Sequence, residues 1–196
     1  MYTVVGAPMT RSFRVLWALE ELGQPYELIP ALPQSPEILK VTDSGKVPAL
    51  IEGDAVLTDS TAIITYLADK HGALTAPAGT MARAKQDAVT HQILDEIDAV
   101  LWTAARHSFA LPEEQRVPEI KDSLRWEFER NIARLEARLT GPYLMGDAFT
   151  IADIICVHCL NWAYSAKFPI ESDVLLAYSK RMRARPAFQA VAASIT

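Results

Sequence analysis

Gly45-Lys46-Val47-Pro48-Ala49-Leu50 is the stretch on which the fold turns. A proline entering an apolar run removes a backbone donor, so Pro48 belongs at the start of a strand and not in its middle. The apolar runs 47–51 and 55–57 flank Glu52-Gly53-Asp54. Two such runs about a glycine-bearing link predict a hairpin. If the Val47-Pro48 bond is cis, the chain turns sharply and Val47 presents its N–H and C=O outward, where another peptide backbone can pair with them as a strand would. The alternative is a plain trans proline, since only about 5–6% of X–Pro bonds are cis.

Moving toward the N-terminus, residues 2–5 form a β-branched run closed by Gly6-Ala7-Pro8. Over 12–22, Phe13, Leu16, Trp17, Leu19 and Leu22 recur at helical spacing, and Gly23 with Pro25 stops the helix. Residues 26–30 read as a second strand. On the other side of the hairpin, Thr58-Asp59-Ser60 opens a helix running to Asp69, with Ile63, Ile64 and Leu67 on one face. The order is strand-helix-strand, a poorly defined middle, then strand-strand-helix, an α/β layout on one small mixed sheet.

The Gly/Ala/Thr/Pro-rich segment up to Thr80 lacks periodicity and separates a first domain (1–73) from a second (81–196), with 74–80 as the linker. Strand signals stop there. Residues 81–109, 117–139, 150–166, 174–185 and 187–193 all read as helices, so the second domain is all-α.

Bulk properties exclude several classes. The chain has 196 residues, half of them hydrophobic, and no apolar run approaches the ~18 residues of a membrane span. The first residues carry no basic segment ahead of a long apolar one, so a cytoplasmic protein is expected. A net charge of -5 argues against a nucleic-acid partner. Two cysteines, Cys156 and Cys159, are too few for a disulfide framework, and as a lone C-x-x-C inside a helical pattern they read as buried residues and not as a zinc or redox site. No metal is expected.

Three segments carry chemistry. Val47 can offer its backbone. Asp59 and Ser60 open a helix whose N–H groups suit a carboxylate; the Ser60 hydroxyl can donate to that carboxylate and Asp59 can accept from an ammonium group, so one end of an amino acid fits both. Thr10 and Ser12 lie where the first strand passes into the first helix, a place that stabilises an anion by ~0.3–1 kcal/mol. Each feature alone also reads as an ordinary helix cap or turn.

In this order and at this spacing, the segments 10–27, 45–50 and 58–67 resemble the N-terminal domain of the glutathione transferase superfamily, with bacterial members the nearest in look. Asp147-Ala148-Phe149-Thr150-Ile151-Ala152-Asp153 is similar to the capping box of its helical domain. The resemblance spans essentially the whole chain. It implies a thioredoxin-like βαβαββα domain followed by an all-helical one. It implies an enzyme that joins the glutathione thiolate to an electrophilic small molecule in detoxification, working as a homodimer away from membranes, with glutathione as co-substrate. Carried over residue by residue, Val47 ahead of Pro48 would pair with the cysteinyl backbone. Asp59 and Ser60 would hold the γ-glutamyl end, and Lys46 or Lys40 would meet the glycyl carboxylate. Thr10, with Ser12 as second choice, would stabilise the thiolate. Met9, Trp102, Arg106, His107 and Trp162 would contact the electrophile. A glutathione-dependent peroxidase, disulfide reductase or isomerase, or a non-catalytic glutathione-binding module, are the alternatives. This chain departs from the family in having Thr42-Asp43-Ser44 where many relatives carry Asn-Pro, and threonine where serine is usual.

Overall fold

The computed structural model describes residues 1–195 and divides the chain into two compact units. One comprises 1–83 together with 182–195; the other is 84–181. The expected boundary near 74–80 therefore lies a few residues early. The expectation that everything from 81 onward forms one domain gives way, because the C-terminal segment belongs with the N-terminal unit.

That first unit contains β1 (Tyr2–Gly6), α1 (Ser12–Glu21), β2 (Tyr26–Pro30), α2 (Pro36–Leu39), β3 (Ala49–Glu52), β4 (Ala55–Thr58) and α3 (Ser60–His71). The strands form one sheet in the order β2-β1-β3-β4. β1 runs parallel to β2, while β3 is antiparallel to both β1 and β4. Val4, Val5, Ala49 and Leu50 on the central strands are buried, as are Val15, Leu16, Trp17 and Leu19 on α1 and Ile63, Ile64 and Leu67 on α3. The two helices pack together over the sheet, as their apolar faces require. The middle segment that gave no clear signal holds α2, four residues with Pro36 in its first turn. Its single anchor is Ile38, packed with Val5, Ala31 and Ala49. One buried residue in four leaves no periodicity to read.

The last helix, α9 (Pro186–Ala192), lies on α1. The Phe188 ring sits 4.9 Å from Phe13 and 5.0 Å from Trp17, centre to centre. Arg185 grips Glu21 through two bonds of 2.6 and 2.7 Å, and Trp17 Nε1 donates to the same carboxylate at 2.9 Å.

The second unit is helical: α4 (Met81–Ile93, entering from the first unit), α5 (Ala99–Ala105), α6 (Ile120–Arg138), α7 (Ile151–Ser165) and α8 (Asp173–Arg183). The single helix expected over 81–109 is interrupted by two π-helical segments, Leu94–Asp98 and Arg106–Ala110. At the first, buried Asn131 donates to the Glu96 carbonyl at 2.8 Å, giving that carbonyl a side-chain partner where the ladder is widened. At the start of α7, Asp153 reaches back to the Thr150 N–H at 2.9 Å, as the capping-box pattern predicts. Its other oxygen takes the Leu144 N–H and the Tyr178 hydroxyl. Burial pushes the Asp153 carboxyl above the ordinary value, and these three donors, with the Thr150 hydroxyl as a fourth, pull against it. No helix among the described residues is long and apolar enough to cross a membrane.

Candidate functional site

Sheet register gathers the three chemical segments at one end of the first unit. Val5 pairs with Ala49, and Ala49 pairs with Thr58. The end of β1, the start of β3 and the end of β4 are therefore neighbours. The turn bearing Thr10, the Val47-Pro48 corner and the Asp59-Ser60 helix start all project from that edge. Gly6 marks how closely they converge. A Cβ there would fall 2.0 Å from Ser12 Oγ and 3.6 Å from the Pro48 Cα, so only glycine leaves room.

The Val47-Pro48 bond is cis. Pro48 is buried and Val47 half-buried. Among the described residues neither the N–H nor the C=O of Val47 has a hydrogen-bond partner. The loop ahead of it is pinned: Gln34 N donates to the Gly45 carbonyl at 2.8 Å and the Gln34 side chain to the Ser44 carbonyl at 3.0 Å. Gly45 has φ 60°, a setting that strains any other residue, and a Cβ there would have to push aside the Gln34 amide, within 2.7 Å. Lys46 and Lys40 are exposed.

Asp59 caps α3 with one oxygen only. Oδ1 accepts the Thr61 and Ala62 N–H groups at 2.9 and 3.0 Å. Oδ2 has no partner among the described residues. The residue holds φ 70°, a left-handed setting that costs a non-glycine residue about 1–3 kcal/mol. Ser60 follows, only 3% exposed, its hydroxyl accepting from Arg14 at 3.3 Å. A guanidinium only donates, so the Ser60 hydrogen remains available to a further acceptor. Arg14 belongs to no motif in the sequence. Its signal was a lone cation between Phe13 and Val15, inside a helix face that had to be buried.

At the β1–α1 turn, Thr10 is half-buried and Ser12 fully buried. The Thr10 hydroxyl donates to the Ala7 carbonyl at 2.7 Å, lies 2.9 Å from Ser12 Oγ, and accepts the Ser12 N–H at 3.1 Å. Met9 beside it is exposed.

In the second unit, Trp102, Arg106, His107 and Trp162 are each half-buried. Arg106 donates to Thr103 Oγ1 at 2.9 Å, and His107 Nδ1 accepts the Val117 N–H at 3.1 Å, so His107 tethers the segment that follows the second π turn. Trp162 stands edge-on to His158 with ring centres 6.5 Å apart. Cys156 and Cys159 are buried and unlinked, and burial pushes the Cys156 thiol up.

Comparison with known proteins agrees on one family. Residues 3–77 match the family described as glutathione S-transferase, N-terminal domain, and residues 97–186 match its C-terminal domain. The glutathione S-transferase GstA of Escherichia coli O157:H7 is 30% identical over 182 residues, covering 87% of each chain. This chain belongs to the glutathione S-transferase family. The transferase is also 30% identical over 193 residues to glutathione S-transferase 4 of Zea mays, covering 91% of this chain and 86% of that one. Among solved structures, a glutathione transferase from Methylococcus capsulatus superposes with a TM-score of 0.87 at 29% identity, covering 99% and 98% of the two chains. The transferase URE2P6 of Phanerochaete chrysosporium, solved in complex with oxidized glutathione, gives 0.82 at 26% identity, over 98% and 94%.

Proposed function

We propose that this transferase joins the thiolate of glutathione to an electrophilic small molecule, and that the edge formed by Thr10, Val47 and Asp59-Ser60 is where the tripeptide binds. The observation that carries this is a set of open valences at one sheet end: both backbone groups of Val47, the Ser60 hydroxyl hydrogen, and Asp59 Oδ2. Their types match a peptide backbone, a carboxylate and an ammonium group. Val47 pairs with the cysteinyl residue, Ser60 donates to the γ-glutamyl carboxylate, and Asp59 Oδ2 accepts from its ammonium group. Lys46, exposed beside the pinned loop, meets the glycyl carboxylate.

Thr10 donates a hydrogen bond to the sulfur and favours its ionised form. A shift of ~2 pKa units, ~2.7 kcal/mol, is enough to make a bound thiol substantially ionised at neutral pH. The sulfur lone pair attacks the electrophile and the leaving group departs; no covalent enzyme intermediate is needed. In the second unit, Trp102, Arg106, His107 and Trp162 are proposed to contact the electrophile, an aromatic set with one cation that suits a flat apolar or anionic molecule. Homodimeric assembly and a cytoplasmic detoxification role belong to the same proposal.

The test is turnover of a model aryl halide with glutathione, in wild type and Thr10→Ala. Wild type turns over and Thr10→Ala loses tenfold or more in kcat/KM at neutral pH, about 1.4 kcal/mol or more. Undiminished turnover in Thr10→Ala would remove Thr10 from the mechanism.

A further inference from the structure

We propose that Ser12 is a positioning residue for Thr10, setting the acidity of the bound thiol without touching it. This rests on the transferase function proposed above, and it follows from counting hydrogens. Thr10 has one hydroxyl hydrogen and two lone pairs. The Ala7 carbonyl, 2.7 Å away, can only accept, so it takes that hydrogen. The Ser12 N–H, 3.1 Å away, can only donate, so it occupies one lone pair. The remaining contact, Ser12 Oγ at 2.9 Å, must then be Ser12 donating to the second lone pair. Thr10 gives one bond and receives two.

Ser12 is held to that task. It is fully buried, and among the described residues Thr10 is the one hydroxyl its own hydroxyl meets. Gly6 faces it so closely that a Cβ would overlap its oxygen at 2.0 Å. With no exposed surface of its own, Ser12 is placed behind Thr10 and does not contact the reacting atom.

An arriving thiolate changes only one bond. Thr10 swings its hydrogen from the neutral carbonyl to a sulfur on the same side of its oxygen, the other two directions being held by Ser12, and gains a charge-assisted bond about twice as strong. Ala7 O is not orphaned, because the Thr10 N–H still donates to it at 2.9 Å. Both bonds from Ser12 persist. They draw density from the Thr10 oxygen and strengthen its O–H as a donor, by the cooperativity expected of linked hydrogen bonds. The thiol proton leaves to water and Thr10 keeps its own.

The experiment titrates the thiolate absorbance of bound glutathione against pH, alongside kcat/KM for an aryl halide, in wild type, Ser12→Ala, Ser12→Cys, Thr10→Ala and the Ser12→Ala/Thr10→Ala double variant. Binding of S-methylglutathione, which has no thiol to ionise, is measured in each. Expected for Ser12→Ala is an upward shift of the bound-thiol titration on the order of 0.5–1 unit. That appears as a roughly three- to tenfold loss of kcat/KM below the titration which closes at higher pH. S-methylglutathione affinity is unchanged. Ser12→Cys, a weaker donor, falls between, and Ser12→Ala has no further effect once Thr10 is alanine. A titration in Ser12→Ala that overlays wild type, or a loss confined to S-methylglutathione affinity, overturns the positioning role. Wild type that neither binds S-methylglutathione nor turns over overturns the transferase reading itself, and that is seen before any variant is made.

Discussion

Arg14 donates to Ser60 across 3.3 Å, with both side chains buried where α1 meets α3. A guanidinium cannot accept, so this contact fixes which way the serine works: it receives from inside and gives outward. The Ser60→Ala variant is expected to lose roughly ten- to a hundredfold in S-methylglutathione affinity, the worth of a hydrogen bond to a charged group at ~1.5–3 kcal/mol. Isothermal titration calorimetry measures it, and an unchanged dissociation constant would take Ser60 out of the carboxylate site.

Asp59 caps α3 through Oδ1 alone, so the ammonium contact proposed for Oδ2 can be separated from the cap. Asp59→Asn keeps the capping oxygen and tolerates φ 70°. It is expected to melt close to wild type while binding glutathione about tenfold more weakly. Asp59→Ala loses the cap as well, at a cost of ~0.5–2 kcal/mol. Urea melts of both variants beside wild type show whether only the alanine is destabilised.

Gly6→Ala tests the crowding behind Thr10. The new methyl would meet Ser12 Oγ at 2.0 Å and Ser12 Cβ at 2.9 Å. Overpacking of this kind typically costs about 1–3 kcal/mol. The displaced Ser12 hydroxyl should also raise the bound-thiol titration, in the same direction as Ser12→Ala. A Gly6→Ala protein with wild-type melting and titration would mean that the turn yields more easily than its spacing implies.

The C-terminal clamp should be cooperative. Glu21 is largely buried and receives both Arg185 and Trp17. Arg185→Met removes its cationic partner and is expected to cost ~1–3 kcal/mol, with Glu21→Gln/Arg185→Met costing less than the sum of the single changes. A double-mutant cycle from chemical denaturation measures the coupling.

Alkaline stability should report Tyr26. Burial, and then its bond to Glu20, raises its hydroxyl from 10.0 to about 12. The folded state therefore keeps a proton that the unfolded chain has shed, so stability from this group is full below pH 10 and falls as pH rises toward 12. Tyr26→Phe should flatten that decline in urea melts taken across the window.

The sequence disclosed elements wherever a local pattern carried them. Helix α1 announced itself through five apolar residues at helical spacing, and α7 through Thr150 and Asp153. What stayed hidden depended on contacts distant in sequence. Nothing local says that Glu96 will share its carbonyl with Asn131, or that Phe188 will nest against Phe13 and Trp17 instead of among the helices that precede it. The proposed site divides in the same way. Asp59-Ser60 and Val47-Pro48 are legible as motifs, whereas the partition of the aspartate oxygens and the hydrogen count around Thr10 exist only once the chain has folded.

The return of residues 185–188 to α1 bears on synthesis. About a hundred residues of the second unit, 84–181, are translated between α3 and that final helix. At ~5–20 residues per second, the nascent N-terminal unit waits roughly 5–20 s with Phe13 and Trp17 lacking their Phe188 cover. That exposure ends only when α9 emerges and packs on α1.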